Sequence, residues 1–266
     1  MNDIKLIIAD CDGTILHDDK TFDDEILTVI EKLYKKDIKF TINTGRNIIV
    51  AKWIYDYLNI HEAYVLDNGA NIYYDEKRIL NHKMDKKDLN YILNLLDEND
   101  LPYLIMSDEA IYYCRESVFF GRFKDRLAMH FPFLDANETD NYLNESIYKI
   151  MVDGFYCRKM DDLSMEVELN CDNLKFARSE NQLYAITSNK ASKYEGVKYL
   201  CEYYGISEEQ VMTIGDNHND IPMLKNIKES VSMGQSVDIV KESSKYLADT
   251  NENNGVSKFL KAYFKL

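Results

Sequence analysis

Two stretches of this chain are rich in aspartate, and each follows a short apolar run. Asp10-Cys11-Asp12-Gly13-Thr14 comes after Leu6 to Ala9, and Gly215-Asp216-Asn217-His218-Asn219-Asp220 comes after Val211 to Ile214. Thr44-Gly45-Arg46 similarly follows Lys39 to Asn43, and Asp67-Asn68-Gly69 follows Ala63 to Leu66. If the apolar runs are strands of an open parallel sheet, all these residues fall at carboxyl ends, where such sheets bind ligands. Asp10, Asp12, Asp216 and Asp220 would then converge on one sheet edge. Clustered like charges are unfavourable unless protons or a cation neutralise them. Oxygen-only ligands select a hard cation, and a few carboxylates with water and a substrate phosphate is the usual magnesium arrangement.

The elements that must hold these residues read as βαβ units. Ile4 to Ala9, Lys39 to Asn43 and Ala63 to Leu66 have the character of buried strands. Between them lie helical stripes: Ile26, Val29, Ile30 and Leu33, with Thr21 as the expected N-cap, and Val50, Trp53, Ile54 and Tyr57. Asn71 to Tyr74 and Arg78 to Asn81 read as a hairpin. From about Met84 to Ile186 regular alternation stops. Leu89, Ile92, Leu93 and Leu96 mark a helix there, and Tyr103 to Met106, Ile111 to Cys114, Ile147 to Val152, Leu174 to Ala177 and Leu183 to Ile186 read as strands of an open antiparallel α+β layer. Alternation resumes with a helix carrying Val197, Leu200, Cys201 and Tyr204. Ser207 and Gln210 follow in capping-box spacing, then come the strand Val211 to Ile214, a short helix near Ile221 to Lys225, a strand at Ser230 to Met233, a helix near Val237 to Glu242 and a terminal helix from Val256 to Phe264. The expected division is a parallel-sheet α/β core in two parts, residues 1–82 and 188–266, around an inserted α+β domain, residues 83–187.

In this order the motifs resemble those of the haloacid dehalogenase superfamily: D-x-D-G-T after the first strand, Thr44 after the second, Lys193 opening a later helix, and G-D-x-x-N-D after a subsequent strand. The 34 positions from Asp10 to Thr44 leave no room for a cap between them, and the long insert before Lys193 resembles the type IIB cap of the Cof-like hydrolases. The resemblance implies a Rossmann-like core with that cap, and a magnesium-dependent phosphatase acting on small phosphate monoesters such as sugar or cofactor phosphates. It makes Asp10 the nucleophile and a metal ligand, and Asp12 the acid/base whose backbone carbonyl also touches the metal. It assigns Asp216 and Asp220 to the metal, and Thr44, Gly45, Lys193 and Asn219 to the substrate phosphate. Asn68 and Gly69 are expected to form a hinge beside the site. The Gly that commonly follows the motif Lys is Tyr194 here, with Lys190 as the alternative lysine, and the Glu often found at the end of the cap is Ala185. A phosphomutase or phosphotransferase, or a non-catalytic metal-binding regulatory protein, are the alternatives on the same fold.

The remaining residues set bounds. A formal net charge of −14 would repel nucleic acid and anionic membranes, so a phosphate ester needs a local cation. The 5 cysteines include no C-x-x-C pair, which argues against a zinc site or a disulfide framework. The apolar stretch near the N-terminus is too short for a signal-peptide core or a membrane span, and a cytoplasmic monomer or small homo-oligomer is expected. Arg46 is a candidate substrate contact, although an Arg at a helix start more often reads as surface structure, and His218 reads as a loop residue. Arg115, Glu116, Arg122, Arg126, Lys175 and Arg178 of the insert are candidates for leaving-group selection.

Overall fold

The computed structural model describes residues 3–107, 109–127, 132–157, 159–180 and 182–266. Chain contacts divide it into two compact units: Met1–Arg46, Ala51–Leu80 and Ser192–Leu266 form one, and Asn47–Val50 with Asn81–Ala191 form the other.

The chain begins with β1 (Leu6–Ala9), α1 (Ile26–Tyr34), β2 (Lys39–Ile42), α2 (Ile48–Tyr57) and β3 (Tyr64–Leu66). The hairpin β4 (Asn71–Tyr74) and β5 (Lys77–Asn81) follows, turning at Asp75 and Glu76, both at positive φ. Every residue of β1 is buried, as a strand covered on both faces requires. Helix α1 buries Ile26, Val29, Ile30 and Leu33, the stripe its spacing predicts, but its N-cap is Glu25 and not Thr21. Thr21 is used locally instead. Both its backbone N–H and its hydroxyl donate to Asp19 Oδ1, and its neighbour Phe22 pairs with Leu16 in a bridge that keeps the chain extended.

The second unit contains α3 (Lys86–Glu98), β6 (Tyr103–Ser107), β7 (Ile111–Tyr113), α4 (Val118–Leu127), β8 (Phe133–Asp135), β9 (Ile147–Asp153), α5 (Met160–Asn170), β10 (Leu174–Glu180) and β11 (Leu183–Ser188). Asp85 caps α3 by accepting from the Asp88 N–H at 2.9 Å. The strands form one sheet in the order β10-β11-β9-β6-β7-β8. It is antiparallel except for the β7–β8 pair, which runs parallel and departs from the expected antiparallel layer. Leu89, Ile92 and Leu96 of α3 pack in its core with Leu104, Ile150 and Ile186.

The chain returns to the first unit through α6 (Lys193–Tyr204), β12 (Val211–Gly215), α7 (Ile221–Asn226), β13 (Glu229–Ser232), α8 (Asp238–Lys241), β14 (Tyr246–Leu247) and α9 (Gly255–Phe264). The Ser207–Gln210 capping box forms as its spacing predicts. The core sheet has the order β14-β13-β12-β1-β2, and all its pairings are parallel. Ala9 registers with Ile214 on one side and Ile42 on the other, so the segments that follow β1, β2 and β12 leave the sheet at the same edge. Asn43 bridges onward to Val65, which brings the residues after β3 to that edge as well.

Helix α6 presses on β3 through a residue chosen for size. A Cβ on Gly196 would lie 2.6 Å from Val65 Cγ1, so only glycine permits this approach. Gly196→Ala should therefore destabilise the protein by about 1 to 2 kcal/mol in denaturant unfolding, because overpacking outweighs the gain in helix propensity. A neutral or stabilising result would show that the helix has room to move.

Candidate active site

Asp10 follows β1 directly, and its N–H donates to the Ile214 carbonyl at 2.9 Å, which fixes it beside the end of β12. Asp216 follows β12. Ligand oxygens of Asp10, Asp216 and Asp220 lie within 4.8 Å of one another. Residues 10, 216 and 220 are thus gathered, as the strand-end argument expects.

Lys193 enters this cluster from the first position of α6. Ser192 caps the helix by accepting from the Glu195 N–H at 3.1 Å. The Lys193 side chain is 0% exposed, with Nζ 2.6 Å from Asp10 Oδ1 and 2.5 Å from Asp220 Oδ1. A cation at a helix N-terminus opposes the helix dipole, and a buried one loses its hydration, so it needs this double pairing. Burial alone would lower its pKa, but Asp10 and Asp220 together hold the ammonium above its ordinary value. Lys190, by contrast, is exposed.

Both oxygens of Asp220 are occupied by protein donors. Oδ1 takes Lys193, and Oδ2 accepts from the backbone N–H groups of Asp216 (2.9 Å) and Asn217 (3.0 Å). Asp220 therefore shapes the loop that carries Asp216 while it anchors the lysine. Asp216 Oδ1 accepts the Thr14 hydroxyl at 3.0 Å. The turn before Thr14 admits the carboxylate only because residue 13 is glycine: its φ is +74°, and a Cβ there would lie 2.4 Å from Asp216 Oδ2. Gln235 donates to the Gly13 carbonyl at 2.5 Å and steadies the same turn.

The carboxylate of Asp12 is not in the cluster. Arg46 Nε donates to its Oδ2 and Arg46 Nη2 to its Oδ1, both at 2.7 Å, and Lys20 Nζ lies 2.9 Å from Oδ1. Arg46 is thus not surface structure; its side chain is 15% exposed. Neither it nor Lys20, Thr14 or Gln235 was an expected site residue. The signal available for Arg46 was its place directly after a strand end, opposite an acidic pair.

Thr44 and Gly45 stand at the end of β2. Thr44 is buried, its N–H donates to the Val65 carbonyl at 3.0 Å, and its Oγ1 accepts the Arg46 N–H at 3.2 Å. Asn68 lies against Gly45, whose absent Cβ would meet the Asn68 amide at 3.0 Å, and Asn219 donates to Asn68 Oδ1 at 3.0 Å. Gly69 has φ +94°, and a Cβ there would come within 2.1 Å of the Ser192 carbonyl. Asn68 and Gly69 are therefore packing contacts for the loop and the lysine helix. In the second unit, Arg115 pairs with Asp100 at 2.6 Å and Lys175 donates to the Ala191 carbonyl. Glu116 and Arg178 are exposed, and the side chains of Arg122 and Arg126 lie outside the described part.

The electrostatics divide the four aspartates. Burial, the largest effect, pushes Asp10 well above the ordinary carboxylate value, Lys193 offsets it in part, and Asp220 and Asp216 push further. Asp216 is pushed up to about 6, by burial first and then by Asp220. Asp12 goes the other way, to about 2: burial would raise it, but the bonds from Arg46 and Lys20 outweigh that. One lysine thus serves a cluster of three carboxylates, of which burial holds Asp10 and Asp216 toward the protonated form. Such an oxygen-only donor set fits a hard divalent cation.

The family described as haloacid dehalogenase-like hydrolase matches residues 7–260. The 5-amino-6-(5-phospho-D-ribitylamino)uracil phosphatase YitU of Bacillus subtilis is 26% identical over 98% of this chain and 98% of its own length. Phosphoglycolate phosphatase 1 of Saccharolobus solfataricus is 25% identical over 98% of this chain and 96% of its own. Among solved structures, a phosphatase of the same superfamily from Bacteroides thetaiotaomicron superposes with a TM-score of 0.85 at 22% identity, covering 99% of this chain and 96% of that one. A subclass IIB sugar phosphatase gives 0.80 at 21%, covering 98% and 100%. Among the described residues no helix is long and apolar enough to cross a membrane.

Two expectations follow. Asp216 holds its proton more tightly folded than unfolded, so the cation-free protein should lose stability as pH rises from about 4 through about 6, where the unfolded chain has released it first, and Asp10 acts in the same direction. A divalent cation needs these groups ionised. Its addition should therefore raise the melting temperature clearly at pH 7.5 and little at pH 5; an equal rise at both would exclude the cluster as its site. Asp220→Ala leaves buried Lys193 with one partner and should cost about 3 to 5 kcal/mol in urea unfolding. A cost under about 1 kcal/mol would mean that water reaches the ammonium.

Proposed function

The chain belongs to the haloacid dehalogenase-like hydrolases, and within that family we propose that it is a magnesium-dependent phosphatase of small phosphate monoesters, with Asp10 as its nucleophile. The observation that carries this reading is the junction of Asp10, Asp216, Asp220 and Lys193 at one sheet edge. Relatives named as phosphatases over nearly their whole length support it, and the esters they are named for, a phosphoribitylamino-uracil and phosphoglycolate, are with sugar phosphates the first substrates to try.

Asp10 and Asp216 would hold Mg2+, with the backbone carbonyl of Asp12 beside them and Asp220 behind, fixing the loop. Bound there, the cation supplies positive charge at the phosphoryl oxygens that the protein's net balance lacks. Lys193 supplies the second positive charge and aligns the Asp10 oxygen it touches. Thr44, with Gly45 and Asn219 near it, offers polar groups to the phosphate. Asp10 attacks phosphorus, the ester oxygen departs, and water then cleaves the aspartyl-phosphate. Asp12, ionised between Arg46 and Lys20, is set to accept a proton from that water. To protonate a poor leaving group it must first take a proton and loosen one of those bonds.

Hydrolysis of an aryl phosphate with and without magnesium tests the reading. Asp10→Asn should lower metal-dependent turnover by about three orders of magnitude or more, and Asp12→Asn should lose steady-state turnover. Equal rates for the parent protein and Asp10→Asn would remove Asp10 as nucleophile.

A further inference from the structure

Asp10 and Asp12 are two residues apart, yet one joins the acidic cluster and the other does not. The contact that separates them is unlike an ordinary surface ion pair. Arg46 grips both Asp12 oxygens at 2.7 Å with a planar fork, and its side chain is 15% exposed. Its guanidinium carbon lies 5.9 Å from the centroid of the Trp53 ring. Trp53 in turn stands edge-on to Phe22 at 5.4 Å, and Phe22 stacks on Tyr57 at 4.1 Å. The backbone of Arg46 is fixed at both ends: its N–H donates to Thr44 Oγ1 at 3.2 Å, and its carbonyl accepts the Asp67 N–H at 3.0 Å. A bidentate fork sets the plane of a carboxylate as well as its charge. Lys20 reaches Oδ1 with one bond from a side chain that is 51% exposed, and it sets no plane.

The fork fixes the Asp12 carboxylate apart from the three crowded carboxylates, which a single bond from an exposed lysine would not do. We propose that Arg46, braced on Trp53, is a positioning residue for proton transfer: it holds the Asp12 carboxylate outside the Asp10–Asp216–Asp220 cluster, so that this one acid remains free to exchange protons with the leaving oxygen and the attacking water. The inference rests on the reading of Asp10 as nucleophile and Asp12 as acid/base. In the first step an Asp10 oxygen bonds to phosphorus, the bond from phosphorus to the ester oxygen breaks, and that oxygen takes a proton that Asp12 has first drawn from solvent on loosening one of its bonds. In the second, Asp12 takes a proton from water, the water oxygen bonds to phosphorus, and the bond to Asp10 breaks, releasing phosphate.

Leaving groups distinguish positioning from support of the fold. For this two-step reaction kcat/KM reports the steps through departure of the leaving group. An alkyl phosphate needs a proton at that point, and a nitrophenyl phosphate does not. Arg46→Met should lower kcat/KM for the alkyl ester about 10- to 100-fold and for the nitrophenyl ester less than about 3-fold, in the direction of Asp12→Asn. Arg46→Lys, which keeps the charge but loses the fork, should show the same selective loss to a smaller degree, and it serves if the Met variant does not fold. Equal losses on both esters, or none on either, would overturn the positioning role. Asp10→Asn run alongside separates the two readings. If it is inactive while the Arg46 variants lose both esters equally, only the positioning role falls; if it retains magnesium-dependent turnover, the nucleophile reading falls first.

Discussion

The buried ammonium of Lys193 is the constraint on which the rest of the site depends. With its side chain 0% exposed, it has exchanged water for Asp10 and Asp220 at 2.6 and 2.5 Å. Removing one partner from such a group typically costs several kcal/mol, so the three side chains act as one unit. They come from the end of β1, the start of α6 and the loop after β12. Their meeting requires the parallel β1–β12 register, the close packing of α6 on β3 through Gly196, and the seating of Gly69 against the Ser192 carbonyl. Gly13, Gly69 and Gly196 all serve this meeting point, each where a side chain would intrude.

Around that unit the protein sorts like charges into two populations. Asp10 and Asp216 are crowded with Asp220 and are pushed up, whereas Asp12 is given two cations and held low. Burial opposes ionisation in every one of these cases. What differs is the partner, and the partner is set by where the backbone turns: Gly13 directs the chain so that Thr14 faces Asp216, while Asp12 faces Arg46. A two-residue interval thereby yields two carboxylates suited to different work.

Much of this was legible in the chain itself, for physical reasons. Strands buried on both faces must be short apolar runs, and the polar residues directly after them must lie at the binding edge, so Asp10, Thr44, Asp67 and Asp216 were placed by pattern alone. The inserted unit was less readable. Helix α5 buries only Met160, Leu163 and Val167 while exposing Met165 and Leu169, which blurs its stripe, and β8 has 3 residues. Thr21 carried a plausible cap signal that a local bond to Asp19 took instead. Arg46 was misread because a charged residue at a helix start is usually solvated; only the fold shows Asp12 and Trp53 waiting for it. Pairings across long stretches of chain leave no local trace.

The acidity of the chain then becomes intelligible. At a formal net charge of −14 the protein cannot attract a phosphate ester by its overall field. On the reading of Asp10 as nucleophile, it would not serve unaided, because burial and its acidic neighbours favour the protonated form. Lys193 corrects this in part, and a divalent cation on the remaining carboxylates would complete the correction. On that reading the positive charge that favours ionised Asp10 would also draw in the phosphate, so nucleophile activation and substrate binding would be one electrostatic event.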